Sequence, residues 1–145
     1  MNPMNLTGLQ LMQAMIDGQL PAPSISHTIP MVATGAEAGK VRFEVQADDR
    51  HLNPLGGVHG GFTATVMDSV TGCAVHTLLS AGVGYGTVDL NVKMVRPVPR
   101  GVTLIAEGKV INLSRSLGIS EGTLTDRDGK VYAHATASCM IQAMA

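Results

Sequence analysis

Apolar residues recur at Leu6, Leu9, Met12 and Ile16, the spacing of one helical face, which predicts a short helix over 6–16. The stretch Gly18–Ser24 carries Pro21 and Pro23 and ends it. Two strands are predicted next, over 26–33 and 40–46, divided by a Gly-rich turn at 35–39. Residues 48–58 read as a loop, with Asn53-Pro54 and Gly56-Gly57. From His59 to about Ser80 the pattern becomes one long helix. Thr87–Arg96 then alternates: Val88, Leu90, Val92 and Met94 face one way, Thr87, Asp89, Asn91 and Lys93 the other. Pro97 and Pro99 stop that strand. Two or three more strands are expected, at 102–113, 117–125 and 130–141, with Asp128-Gly129 as a hairpin turn. The order gives an α+β layout in one domain, a sheet packed on a long helix.

The chain has 145 residues, the size of one ordinary domain. Hydrophobic residues make up 45% but aromatics only 3%, without Trp, so the core is aliphatic and Met-rich. A formal charge of −1 gives no basic surplus for nucleic acid, and stacking platforms for single strands are lacking. Cys73 and Cys139 sit in apolar stretches and read as small buried hydrophobes in a reduced, cytoplasmic setting. No Lys or Arg precedes Lys40, so no signal peptide is expected, and no apolar run is long enough to span a membrane.

Chemistry concentrates in His51–Asp68, HLNPLGGVHGGFTATVMD. Gly60 and Gly61 weaken the start of a helix, so they need a reason. A junction with unusual backbone angles explains one Gly more easily than four. The functional alternative is an anion or oxyanion site: the first N–H groups of a helix lack partners, the positive dipole end lies there, and at Gly60 a substrate oxygen reaches bare backbone. No Gly-Lys-Ser/Thr follows, so this is not a phosphate loop.

Asp68 lies nine residues into the helix and is the only charged side chain between Arg50 and Asp89, histidines aside. It is either one Asp on a solvent-facing stripe or a carboxylate poised as nucleophile or general base. Gly61, Ala64, Thr65 and Gly72 share its side, a small and uncharged surface that something packs against. Nine residues are roughly 13 Å of rise and about 180° of rotation. His59 and Asp68 therefore point apart. If both serve one site, two antiparallel copies of the helix must meet, as in a two-fold dimer with composite sites.

Asn53 is a turn former or a site residue, and Thr87 is plain strand chemistry or a site residue. His27, His51, His76 and His134 form no recognisable ligand set, so no metal is expected. Lys93, Arg96, Arg100 and Arg115 are surface charge, or some of them meet a phosphorylated substrate tail.

Asn53, His59, Gly60, Gly61 and Asp68 form an Asn-x5-His-Gly-Gly-x6-Asp pattern, followed by Thr87–Val92 and Arg96-Pro97. With Asp128-Gly129-Lys130, Ala133 and Ala135, the chain from about Val41 to Ile141 resembles the hotdog-fold acyl-CoA thioesterases of the phenylacetate-degradation (PaaI-like) type. The resemblance implies a long central helix wrapped by a curved antiparallel sheet of five to six strands, paired into a homodimer and often a dimer of dimers. It implies hydrolysis of an acyl-CoA thioester, without cofactor, to an acid and coenzyme A. The Gly60 N–H would hold the thioester carbonyl, with His59 and Asn53 orienting that region and Gly61 beside it. Asp68 of the other subunit would attack or activate water, with its Thr87 nearby. Ser114 precedes Arg115 where many relatives have Gly, which bears on Arg115 as a nucleotide contact. The competing expectations are a hotdog hydratase or dehydratase and a non-catalytic acyl-CoA-binding module.

Overall fold

The structure, a computed structural model, describes residues 1–144. Its elements are α1 (Gly8–Ile16), α2 (Ile25–Thr28), β1 (Met31–Glu37), β2 (Lys40–Val45), α3 (Gly60–His76), β3 (Val83–Met94), β4 (Leu104–Leu113), β5 (Leu117–Thr125) and β6 (Val131–Ala143). Short 3-10 turns cover Pro3–Asn5 and Asp49–His51. The six strands form one antiparallel sheet in the order β1-β2-β4-β5-β6-β3, wrapped around α3. This is the hotdog architecture, with β1 and β3 as its free edges.

The helix sits close to the sheet because glycines face it. A Cβ on Gly108 would lie 2.0 Å from the Val70 carbonyl oxygen, and one on Gly118 would lie 2.7 Å from Val75 Cγ1. Val66, Met67, Val70 and Ala74 of α3 are fully buried against this surface. Ser120 Oγ donates to the Thr71 carbonyl at 3.0 Å, a polar tie between β5 and α3 inside the apolar layer.

Four sequence expectations are corrected. The strand expected at 26–33 begins only at Met31. Pro23 and Pro30 bracket the single helical turn α2, and Ile29, ahead of Pro30, is driven into extended backbone. The turn expected over 35–39 shrinks to Ala38-Gly39: β1 runs to Glu37 through a bulge at Ala33/Gly35, and Gly39 takes φ +81°. The long helix stops at His76 instead of Ser80. Distant groups supply its end: Gly39 N–H donates to Thr77 Oγ1 and Gly8 N–H to the Leu79 carbonyl.

The fourth correction bears on the site. In β3 the register against β6 shifts between Thr87 and Asp89, which leaves Val88 bulged and 59% exposed. Tyr85 and Thr87 lie opposite Ile141 and Cys139, while Leu90 and Val92 lie opposite Ala137 and Ala135. Cys139, Ala137 and Ala135 all face the buried side. Thr87 therefore shares a face with Leu90 and Val92 and looks toward α3, not away from it.

Candidate active site

The loop before α3 is built around His51, only 7% exposed, whose ring packs on Phe62 at 5.1 Å between centroids. Its Nδ1 accepts from the Asp48 N–H at 2.9 Å, which places the ring proton on Nε2, 2.7 Å from the Thr28 carbonyl. Asp48 pairs with Arg50 through both carboxylate oxygens, and that guanidinium holds the Asp48 carboxyl well below the usual carboxylate range. The His51 carbonyl accepts from the His59 N–H at 2.7 Å. A buried, neutral imidazole thus fixes the residue that starts the helix.

Asn53 forms the turn itself: its Oδ1 accepts from the Leu55 and Gly57 N–H groups at 2.9 and 3.1 Å. His59 caps α3, its Nδ1 accepting from the Gly61 N–H at 2.7 Å. A Cβ on Gly61 would sit 2.9 Å from that nitrogen, so Gly61 is the residue that lets the ring fold back. With Nδ1 occupied, the neutral His59 ring carries its proton on Nε2. Gly61's amide is taken by His59. Gly60, first residue of α3, has no acceptor for its N–H among the described residues. Gly60, Asn53, Met94 and Arg96 line one open cleft of about 520 Å³. His59 opens instead on a cleft of about 510 Å³ with His27, Arg50 and His51.

Asp68 is exposed on α3, and neither cleft includes it. Gly61 is equally exposed and Thr65 half-buried, so this small stripe is open at its N-terminal half. Toward the C-terminus it is covered: Tyr85 packs on Gly72, where a Cβ would lie 2.6 Å from the ring, and its ring lies 5.4 Å from His76. Thr87 Oγ1 is 3.9 Å from Cys139 Sγ. Burial, above all, pushes the Cys73 thiol up to about 11 and raises Tyr85 and Cys139; the Asp68 charge adds to all three. The structure thus gathers Asp68, Cys73, Tyr85, Thr87 and Cys139 on one side of α3. Tyr85 was not singled out from the sequence. The signal was its i, i+2 relation to Thr87 opposite a helix glycine.

The raised Cys73 thiol has a stability consequence. An unfolded thiol loses its proton near pH 9 and the folded one near 11. The unfolded state therefore gains as pH rises through that window, and stability falls there. Thermal melts at pH 8.5 and 10.5 should show a drop that shrinks in Cys73→Ala; an equal drop in both proteins would contradict the assignment.

Arg96 lies at the Gly60 cleft, where its Nη1 donates to the Val131 carbonyl at 2.6 Å. Arg115 sits in the β4–β5 turn, three residues before Gly118, which packs on Val75 near the end of α3 opposite to Gly60. The described residues contain no group of three side chains placed to hold a metal. None of their helices is long and apolar enough to cross a membrane.

The model of the thioesterase superfamily matches residues 55–133, more than half of the chain and the span from the Gly60 cleft to β6. The chain belongs to the thioesterase superfamily. A phenylacetic acid degradation-related protein of Ralstonia eutropha JMP134 is 32% identical, with a TM-score of 0.81 over 89% of this chain and 98% of that one. Human acyl-coenzyme A thioesterase 13 is 29% identical over 99 residues, covering 68% of this chain and 70% of that protein. A Streptococcus pneumoniae TIGR4 thioesterase protein solved with coenzyme A shares the fold, with a TM-score of 0.72 at 19% identity over 79% of this chain. This superfamily member is a thioester hydrolase with the hotdog fold.

Proposed function

We propose that the protein hydrolyses acyl-CoA thioesters at composite sites between two copies of the chain. The observation that carries this reading is the free Gly60 N–H at the start of α3, in a cleft with Asn53 and Arg96. The carbonyl oxygen of the thioester rests there, where the helix dipole is positive and its developing negative charge is stabilised. The Nδ2 group of Asn53, whose Oδ1 holds the turn, and the Nε2–H of His59 are the nearby donors that orient the region. Asp68 acts as nucleophile or general base. As nucleophile, its carboxylate bonds to the carbonyl carbon, the C–S bond breaks, the thiolate leaves and is protonated, and water opens the anhydride. As base, it takes a proton from the attacking water, and the same C–S bond breaks.

Self-association completes the site. On one α3 Asp68 stands eight residues, about 12 Å of rise, beyond Gly60, too far for both to meet one carbonyl, and the open Gly61–Thr65–Asp68 stripe is small enough for a second helix. An antiparallel copy sets Asp68 and Thr87 of the partner subunit across from Gly60. It also brings Arg115 of the partner subunit to the end of the helix where Arg96 lies, so both reach the phosphorylated tail of coenzyme A. Leu117, Ile119 and Met140 point outward from the sheet, with Leu117 38% and Met140 50% exposed, which favours a dimer of dimers.

Thiol release from a panel of acyl-CoAs tests the reaction. Silence across the panel with retained binding would favour a binding module, and enoyl formation without thiol release a hydratase. The composite site has its own test. Asp68→Asn and His59→Ala homodimers should both be nearly inactive. Unfolded, mixed in equal amounts and refolded, they should recover about one quarter of the wild-type sites, because half of the dimers carry one intact site each. Recovery no greater than the sum of the two separate variants would place both residues in the same chain's site.

A further inference from the structure

Between α1, α2, β1 and α3 lies a partly enclosed cavity of about 160 Å³. Met15 and Ile16 of α1, Ala22 and Ile25 of the following segment, Phe43 of β2 and Cys73 of α3 line it, and none of its lining residues is charged. Ser69, next in sequence to Asp68, reaches it from the same helix. We propose that this cavity receives the acyl group of the substrate and limits it to a chain or ring of about six carbons. The inference rests on the thioesterase reading and on Asp68 as the reacting carboxylate.

Three observations support it. The lining excludes a charged occupant, since a buried charge without a partner is strongly disfavoured. The nucleotide end of coenzyme A is therefore unsuited to it, and the neutral acyl end is suited. The cavity also reaches toward the reacting carboxylate: Ser69, the residue after Asp68 on α3, lines it together with Cys73, and the Asp68 charge helps hold the Cys73 thiol protonated. Its size sets the limit, because an apolar void of roughly 150 Å³ holds one benzene ring. Methionines at Met12, Met15 and Met31 allow the wall to adapt to different shapes. The wall does not simply swing open. A Cβ on Gly8 would lie 1.7 Å from the His76 carbonyl oxygen, and the Gly8 N–H bonds the Leu79 carbonyl, so α1 is seated tightly on the end of α3. The Thr7–Gln10 capping box fixes its first turn.

The test measures the affinity of non-hydrolysable thioether analogues of acetyl-, butyryl-, hexanoyl-, octanoyl- and decanoyl-CoA, alongside kcat/KM for the matching thioesters. Affinity should rise roughly fourfold per methylene buried, hence by more than about a hundredfold from acetyl to hexanoyl, and then stop rising or fall. Ala22→Phe, on an exposed segment that tolerates a larger side chain, fills the cavity and should cut the hexanoyl-to-acetyl affinity ratio at least about tenfold. Met15→Ala enlarges it and should move the maximum to octanoyl or decanoyl. A flat length profile, or a profile that neither variant changes, overturns the proposal. A length profile that both variants move as stated, without hydrolysis of any thioester, keeps the acyl cavity and overturns the thioesterase reading instead.

Discussion

Asp68→Asn is expected to lower kcat for thiol release about a thousandfold, the range associated with loss of a positioned base or nucleophile. KM should change little, because in the proposed site Gly60 holds the thioester carbonyl and the apolar cavity the acyl group. The fold should survive intact. Asp68 is exposed, and substitutions at such positions usually shift stability by no more than about 0.5 kcal/mol. Near-identical melting curves with a collapsed kcat would therefore isolate chemistry from structure. A kcat within a fewfold of wild type would remove Asp68 from the mechanism. Single turnover in heavy-oxygen water separates the two roles on the wild-type enzyme. A base sends all label into the product acid. A nucleophile whose anhydride opens at the aspartyl carbon leaves label in the protein. Asp68→Asn has a further readout, because the carboxylate charge helps keep the Cys73 and Cys139 thiols protonated. Both thiols should become slightly more acidic in the variant.

The parts of the site written in contiguous residues were legible in the sequence. His59-Gly60-Gly61 marked the start of α3, and the structure begins that helix at Gly60 with His59 as its cap. β5 falls at Leu117–Thr125 as expected, because turn residues flank it on both sides. The opposed directions of His59 and Asp68 followed from helical geometry alone. What stayed hidden depends on distant partners. Thr77, Leu78 and Leu79 continue an apolar helical pattern, and only Gly39 and Gly8, far away in sequence, decide that α3 stops before them. The alternation through Val88, Leu90, Val92 and Met94 looks unbroken, yet pairing with β6 expels Val88 and turns Thr87 inward. Local periodicity cannot register a bulge, since a bulge is a property of two strands. The small stripe around Asp68 was visible, but Tyr85 as its partial cover at Gly72 was not. The cavity under α1 likewise arises from elements separated by up to sixty residues, and no motif announces it.

The largest structural effect is expected at Gly108. Here the added methyl group would meet the Val70 carbonyl oxygen at 2.0 Å and its carbon at 2.5 Å. Both are helix backbone, with no rotamer to change, so α3 itself must lift from the sheet. Gly108→Ala should cost about 3 kcal/mol, the upper range for overpacking, and lower Tm by roughly 6–12 °C for a domain of this size. Two other glycines calibrate the argument. At Gly122 the nearest atoms would be Thr71 Cγ2 at 3.1 Å and Val70 Cγ2 at 3.2 Å, side-chain tips that can move a few tenths of an ångström. Gly122→Ala should be clearly milder. At Gly86 nothing lies within 4 Å of the added carbon, so Gly86→Ala should leave Tm nearly unchanged in the monomer fold. The order Gly108, Gly122, Gly86 in lost stability is the result that supports a backbone-limited helix–sheet contact. Equal melting of Gly108→Ala and wild type would show that the helix does not rest there. The same substitution reports on function, because α3 carries Gly60 at its start and Asp68 on its open stripe. Lifting the helix would move both against the surfaces they meet in the proposed two-fold pair. Gly108→Ala should therefore lose hydrolysis at temperatures where it is still folded, whereas Gly122→Ala should keep most of it.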